Sequence, residues 1–225
     1  MTALDGLVAR RTTTAQQVAD GLSERILACV FRPGERLRES AIATELGIAR
    51  NTVRAAVRLL EHGGLVRFEA NRGAVIISPT PETVEELYTA RKRLEMAAVA
   101  APLTTGQLAA TEEAYADLDA ATASHERADI VAADLAFHAA IVAALGSSRI
   151  NAFYAGLTRE LRFYLMALSA YEREYENPGK VVGEHEPLME ALRAGDAERA
   201  QHEVRHHIAA NSMRVQHILA TCHES

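Results

Sequence analysis

Between Leu37 and Val66 glycine twice interrupts helical patterning, and a hairpin follows. Residues 39–46 read as a short helix with Ile42, Ala43 and Leu46 facing inward, and Gly47 stands where a helix C-terminal glycine belongs. Residues 50–62 form a second pattern with Val53, Val57 and Leu60 buried, closed by Gly63-Gly64. Residues 65–68 and 74–77 are strand-like, with Asn71 and Gly73 supplying turn chemistry between them. An earlier helix over 14–30 carries Val18, Leu22, Ile26 and Val30 at helical spacing and stops at Pro33-Gly34. Three helices and a hairpin are the outline of a winged helix-turn-helix, whose last helix enters the DNA major groove by its N-terminal end.

Charge divides along the same line. Residues 1–78 hold 11 Arg and no Lys against 8 Asp and Glu, or +3; residues 79–225 hold 13 Lys and Arg against 22, or −9. A basic head on an acidic body is expected if only the head meets phosphate. Arg50, Asn51, Thr52 and Arg54 open the third helix; Arg can pair with guanine and Asn with adenine. Arg72 and Gly73 mark the wing tip, where an Arg reaches the minor groove or the backbone. The plain alternative is that Arg50, Arg54 and Arg58 form a solvated helix face.

Ser78-Pro79-Thr80-Pro81 reads as a linker that also caps the next helix, with Thr80 as cap and Pro81 in the first turn. Beyond it only helices are expected, over 81–101, 106–124, 128–145, 148–172, 181–194 and 196–220. The whole is a mainly α chain: a winged head over 1–78 and an antiparallel helical bundle over 79–225. No apolar run reaches the roughly 18 residues of a membrane span, and Met1 to Arg11 lacks a signal-type apolar core. A cytoplasmic protein is expected, with Cys29 and Cys222 as free thiols.

Polar residues sit on inward faces of the bundle. Ile130, Asp134, Phe137, His138 and Ile141 form one stripe, with Asp134 and His138 four apart. Val181, His185, Leu188 and Leu192 form another. His207 borders the stripe of Val204, Ile208 and Asn211, whereas His202 and His206 face solvent. A buried unpaired carboxylate is costly. A divalent cation held by Asp134, His138, His185 and His207 removes that cost and suits zinc first, then nickel, manganese or iron. Core histidines satisfied one by one, with Asp134 bonded to one of them, are the alternative. Arg91 lies on the apolar stripe of Val84, Leu87 and Leu94. It either clamps an effector carboxylate or pairs with Glu95 at i, i+4.

The string from Leu37 to Val66, including Glu39, Leu46-Gly47, Arg50, Val53-Arg54 and Gly64-Leu65-Val66, closely resembles the GntR family of bacterial repressors. Tyr88, Arg91 and Leu94-Glu95, Asp134 with Phe137-His138, Glu184-His185 and His207-Ile208 resemble the FCD ligand-binding domain of FadR-type members. The resemblance implies DNA contacts from Arg38, Ser40, Arg50, Asn51, Thr52, Arg54, Arg72 and Gly73. It also implies a metal on the Asp134, His138, His185 and His207 set, and a small carboxylate effector beside Arg91. A homodimer on a two-fold operator is implied as well. Two departures stand out. Ser40 lies where the family often has Arg nearby, and Ala49 replaces a serine that would cap the recognition helix, a loss of about 1 kcal/mol. Pro187 is tolerable only if its helix starts late, near Val182 or Gly183. Glu184 is expected to point away from the metal. That leaves an enzyme without a partnered general base, the third reading beside a sensor and a purely structural metal.

Overall fold

The computed structural model describes residues 13–27, 30–32, 34–62, 64–77, 80–173, 176–177 and 179–223. The chain separates into two compact units, divided after Ile77. Cys29, the side chain of Cys222, Ser78 and Pro79 of the linker, and the first 12 residues lie outside the described residues.

The first unit contains α1 (Thr14–Leu27), α2 (Glu39–Leu46), α3 (Arg50–His62), β1 (Val66–Glu69) and β2 (Gly73–Ile76). The α2 end is a Schellman turn: Ile48 N donates to Ala43 O at 3.0 Å and Gly47 N to Thr44 O at 3.3 Å, with Gly47 at φ 64°. This turn corrects one expectation. Leu46 is 52% exposed; the chain folds back through Gly47, and Ile48 is the half-buried apolar side chain there. The α3 helix starts without a side-chain cap, as Ala49 requires; its backbone carbonyl takes the N–H groups of Thr52 and Val53. Val53, Ala56, Val57 and Leu60 are fully buried beneath it. The two strands pair antiparallel, Val66 opposite Ile76. A third backbone segment joins them. Gly34 N donates to Ile76 O, Ile76 N to Glu35 O and Leu37 N to Ala74 O, which ties the chain entering α2 to the wing.

The second unit is helical throughout: α4 (Pro81–Ala98), α5 (Thr105–Thr122), α6 (Arg127–Ala143), α7 (Ser148–Glu172), α8 (Gly179–Ala194) and α9 (Ala197–His223). Thr80 caps α4 by accepting from Thr83 N, with Pro81 in the first turn. Thr104 and Gln107 form a capping box at α5. The α6 helix packs against α4, α5 and α7, and α9 against α4, α7 and α8. The inward stripes of α6, α8 and α9 therefore meet in one core. Pro187 sits well inside α8, which begins at Gly179 and not near Val182 or Gly183. Proline costs the helix one backbone hydrogen bond there. Yet His185 keeps its place, because its own side chain bonds the preceding turn at Val181 O.

Candidate metal and effector centre and DNA interface

Asp134, His138, His185 and His207 gather from α6, α8 and α9, all buried, with one potential ligand atom of each lying within 4.8 Å of the others. His185 Nε2 is 3.0 Å from Asp134 Oδ1 and 3.0 Å from His138 Nε2. Ligands about 2.1 Å from one ion stand about 3–4 Å apart, so the spacing suits a single cation.

Each ring's outer nitrogen decides which way it faces. His185 Nδ1 lies 2.8 Å from Val181 O and must donate to that carbonyl. His138 Nδ1 lies 2.7 Å from Glu95 Oε2 and donates to the carboxylate. Both Nε2 atoms thus face each other as acceptors unless something positive, a proton or a metal ion, stands between them. Outer donation to a carbonyl or carboxylate is the usual support of a metal-bound imidazole. His207 Nε2 is 3.0 Å from Asn211 Nδ2. Asp134 Oδ2 is buried and has no hydrogen-bond partner among the described residues, an open position that a cation would fill. The donor set fits a divalent metal.

The electrostatics agree with one positive occupant. Burial lowers the His185 pKa, but the Asp134 carboxylate outweighs it and the net shift is upward. Burial, then the neighbouring His185 and His138, push His207 well below its ordinary value. Burial and Arg91 lower His138 against the pull of Glu95. Asp134 stays ionised: burial raises its carboxyl, but His185 holds it well below the usual carboxylate range.

Arg91 is fully buried on α4, with Nε 2.7 Å from Glu95 Oε1. Among the described residues its two terminal nitrogens have no hydrogen-bond partner. The i, i+4 pair is therefore present, and it leaves most of the guanidinium's donors unused. The sequence points to Glu95 as that partner and as part of the FCD-like motif, and assigns it no other contact. In the fold it is a hub, also accepting from His138 Nδ1 and from Tyr154 OH at 2.6 Å. Burial raises its carboxyl, but His138 and Arg91 bring it down to about 2.

In the head, Arg38, Ser40, Arg50, Arg54 and Gly73 line one concave surface. Asn51 is exposed in the first turn of α3, Thr52 is half-buried beside it, and Arg72 lies in the wing turn. Two further arginines, Arg36 and Arg58, share that surface with Phe68. Arg58 stacks over the Phe68 ring at 4.2 Å. Arg58 was within reach of sequence reasoning, four residues after Arg54. Arg36 was not, because only the pairing of segment 34–37 with β2 brings it there.

The sequence profile of the bacterial regulatory proteins of the gntR family matches residues 14–76, and that of the FCD domain matches residues 86–210. The chain belongs to the GntR family and carries an FCD domain. It is a DNA-binding transcriptional regulator. A probable D-xylose utilization operon transcriptional repressor of Paenarthrobacter nicotinovorans is 29% identical over 209 residues, 89% of this chain and 88% of the relative. The gluconate operon transcriptional repressor of Bacillus subtilis is 26% identical over 191 residues, 83% and 78% of the two chains. The crystal structure of a putative transcriptional regulator GntR from Rhodococcus sp. RHA1 is similar with a TM-score of 0.62 and 29% identity, covering 89% of this chain and 96% of that one. Among the described residues no helix is long and apolar enough to cross a membrane.

Proposed function

We propose that this regulator is a cytoplasmic homodimer whose affinity for a two-fold operator is set by a small carboxylate bound at a metal centre. The observation that carries this reading is the set Asp134, His138, His185 and His207, with two of its imidazoles fixed to turn their Nε2 atoms inward. A divalent ion, zinc first among the candidates, supplies Lewis acidity and open coordination positions. The protein's own groups do the rest. Glu95 and Val181 O orient His138 and His185. Arg91, with two unpaired buried nitrogens, faces the effector's negative charge. An organic or sugar acid is the class that answers both a cation and a guanidinium. One relative is named for a gluconate operon, and gluconate is a sugar acid.

In the head, Arg50, Asn51, Thr52 and Arg54 meet base edges. Arg38, Ser40, Arg72 and Gly73 meet the DNA backbone or the minor groove. Effector binding changes operator affinity by favouring one placement of the two heads over another.

The test is a thermal-shift screen of the zinc-loaded full chain against organic and sugar acids, followed by operator binding with each hit. A hit that stabilises the protein and shifts operator affinity is expected. A purely structural ion is the second reading, favoured by the small cavity beside the cluster, of about 20 Å³. That reading prevails if metal removal unfolds the bundle while no acid alters operator binding.

A further inference from the structure

The cavity beside the cluster accepts the centre of about one water molecule, so an organic acid enters only if part of its wall moves. Leu165 and Leu168 of α7 form an apolar, buried side. The polar side is Glu184, Asn211 and Arg214. Glu184 stands at the rim of this cavity. Arg214 grips it through both arms, Nη1 to Oε1 at 2.8 Å and Nη2 to Oε2 at 2.9 Å. Arg214 Nη1 also lies 3.3 Å from Glu172 Oε2, the last residue of α7. Its Nη2 donates to Asn211 Oδ1, and Asn211 in turn contacts His207. Lys180 pairs with Glu172 and lies 3.8 Å from Glu184. Side-chain exposures of 24% for Arg214 and 28% for Glu184, against 1% for His185, make this network the wet side of the cavity.

A carboxylate seated in a two-armed grip on a guanidinium is the contact an organic acid seeks. Here the protein fills it from within. We propose that Arg214 is the anchor for the effector's carboxylate and that Glu184 is its built-in competitor, displaced when the effector binds. This rests on the carboxylate reading above. The exchange trades one carboxylate for another on the same guanidinium. The released Glu184, already partly exposed, moves towards water and Lys180. Arg91, sealed in the core with its Nε on Glu95, adds its charge from the buried side and leaves the two-armed contact at the rim to Arg214. Release of Glu184 also breaks the tie between α8 and α9 at the cavity rim, so the effector meets different contacts in two states, as a ligand that shifts an equilibrium must.

The test uses the full-length zinc-loaded chain and calorimetric titration with D-gluconate and glycolate. D-sorbitol and ethylene glycol serve as uncharged counterparts. Glu184→Gln keeps the shape and removes the competing charge. It is expected to tighten acid binding by about tenfold, with no gain for the polyols and with zinc content unchanged. Arg214→Met is expected to weaken acid binding at least about tenfold, and Arg214→Lys to fall between. If Arg214→Met loses zinc or fails to fold, Glu184→Gln and Arg214→Lys decide. Wild type binding an acid while Glu184→Gln and Arg214→Lys match it overturns the anchor assignment alone. Zinc-loaded wild type and Glu184→Gln both ignoring the two acids overturns the anchor and the carboxylate reading together.

Discussion

Two arginine–glutamate pairs, one in each unit, show how burial decides what an ion pair is for. Arg54 Nε lies 3.3 Å from Glu39 at the recognition helix, with the arginine side chain 57% exposed. Arg91 Nε lies 2.7 Å from Glu95 with no exposure on either side. The head pair lies at the surface on its arginine side and costs little to break, which leaves the arginine available to DNA. The bundle pair cannot be broken cheaply, because a lone charge would be left in the core. It serves instead as a fixed support, and Glu95 passes that rigidity on to His138 and Tyr154.

The comparison is broken most sharply at Glu95. Glu95→Ala leaves Arg91 uncompensated and frees His138 Nδ1 and Tyr154 OH. It is expected to destabilise the bundle by about 3–5 kcal/mol in urea unfolding. A loss below about 1 kcal/mol would place this pair in the same class as the exposed ones. Next comes the metal cluster itself. Asp134→Ala should lower metal affinity by more than the roughly 10–100-fold that follows loss of an outer-shell partner. Metal content after dialysis, read by mass spectrometry, checks this; full occupancy would sink the ligand set.

Much of this contrast was legible in the sequence. The histidine and aspartate positions could be read because each lies at helical spacing within a stripe of apolar residues, and periodicity reports which face is inward. The winged head could be read because Gly47 and the Gly63-Gly64 pair punctuate it. What periodicity does not report is where a side chain goes once helices pack. The role of Glu95 depends on His138 and Tyr154, 43 and 59 residues away. Glu184 depends on Arg214 on another helix, and Arg36 on a backbone pairing with β2. Leu46 and Pro187 depart from expectation for a related reason. At α2 the Schellman turn, and at α8 the bond from His185 to Val181 O, decide the outcome over general helix-end and helix-breaker preferences.

The head offers the smaller effects. Arg50→Ala removes a side chain proposed to read a base. It is expected to cost about 1–3 kcal/mol in binding to a duplex selected from random sequence, with metal content intact. Fluorescence anisotropy on the selected and a scrambled duplex checks it; equal losses on both would assign Arg50 to the phosphate backbone.

Glu39→Gln is the mildest change and the most direct test of the contrast. Glu39 lies 3.3 Å from Arg54 and 4.0 Å from Arg50, and its side chain is 12% exposed. If the exposed pair is merely a parking place for arginines between encounters with DNA, removing the charge should cost less than about 1 kcal/mol of stability. Binding to random-sequence duplex should tighten, because Arg50 and Arg54 no longer leave a carboxylate to meet DNA and one negative charge has gone from the basic surface. Thermal melting and anisotropy at fixed salt give both readouts. A stability loss approaching that of Glu95→Ala, with no gain on random DNA, would mean that Glu39 holds the head together as Glu95 holds the bundle, and the two pairs would then differ in exposure but not in purpose.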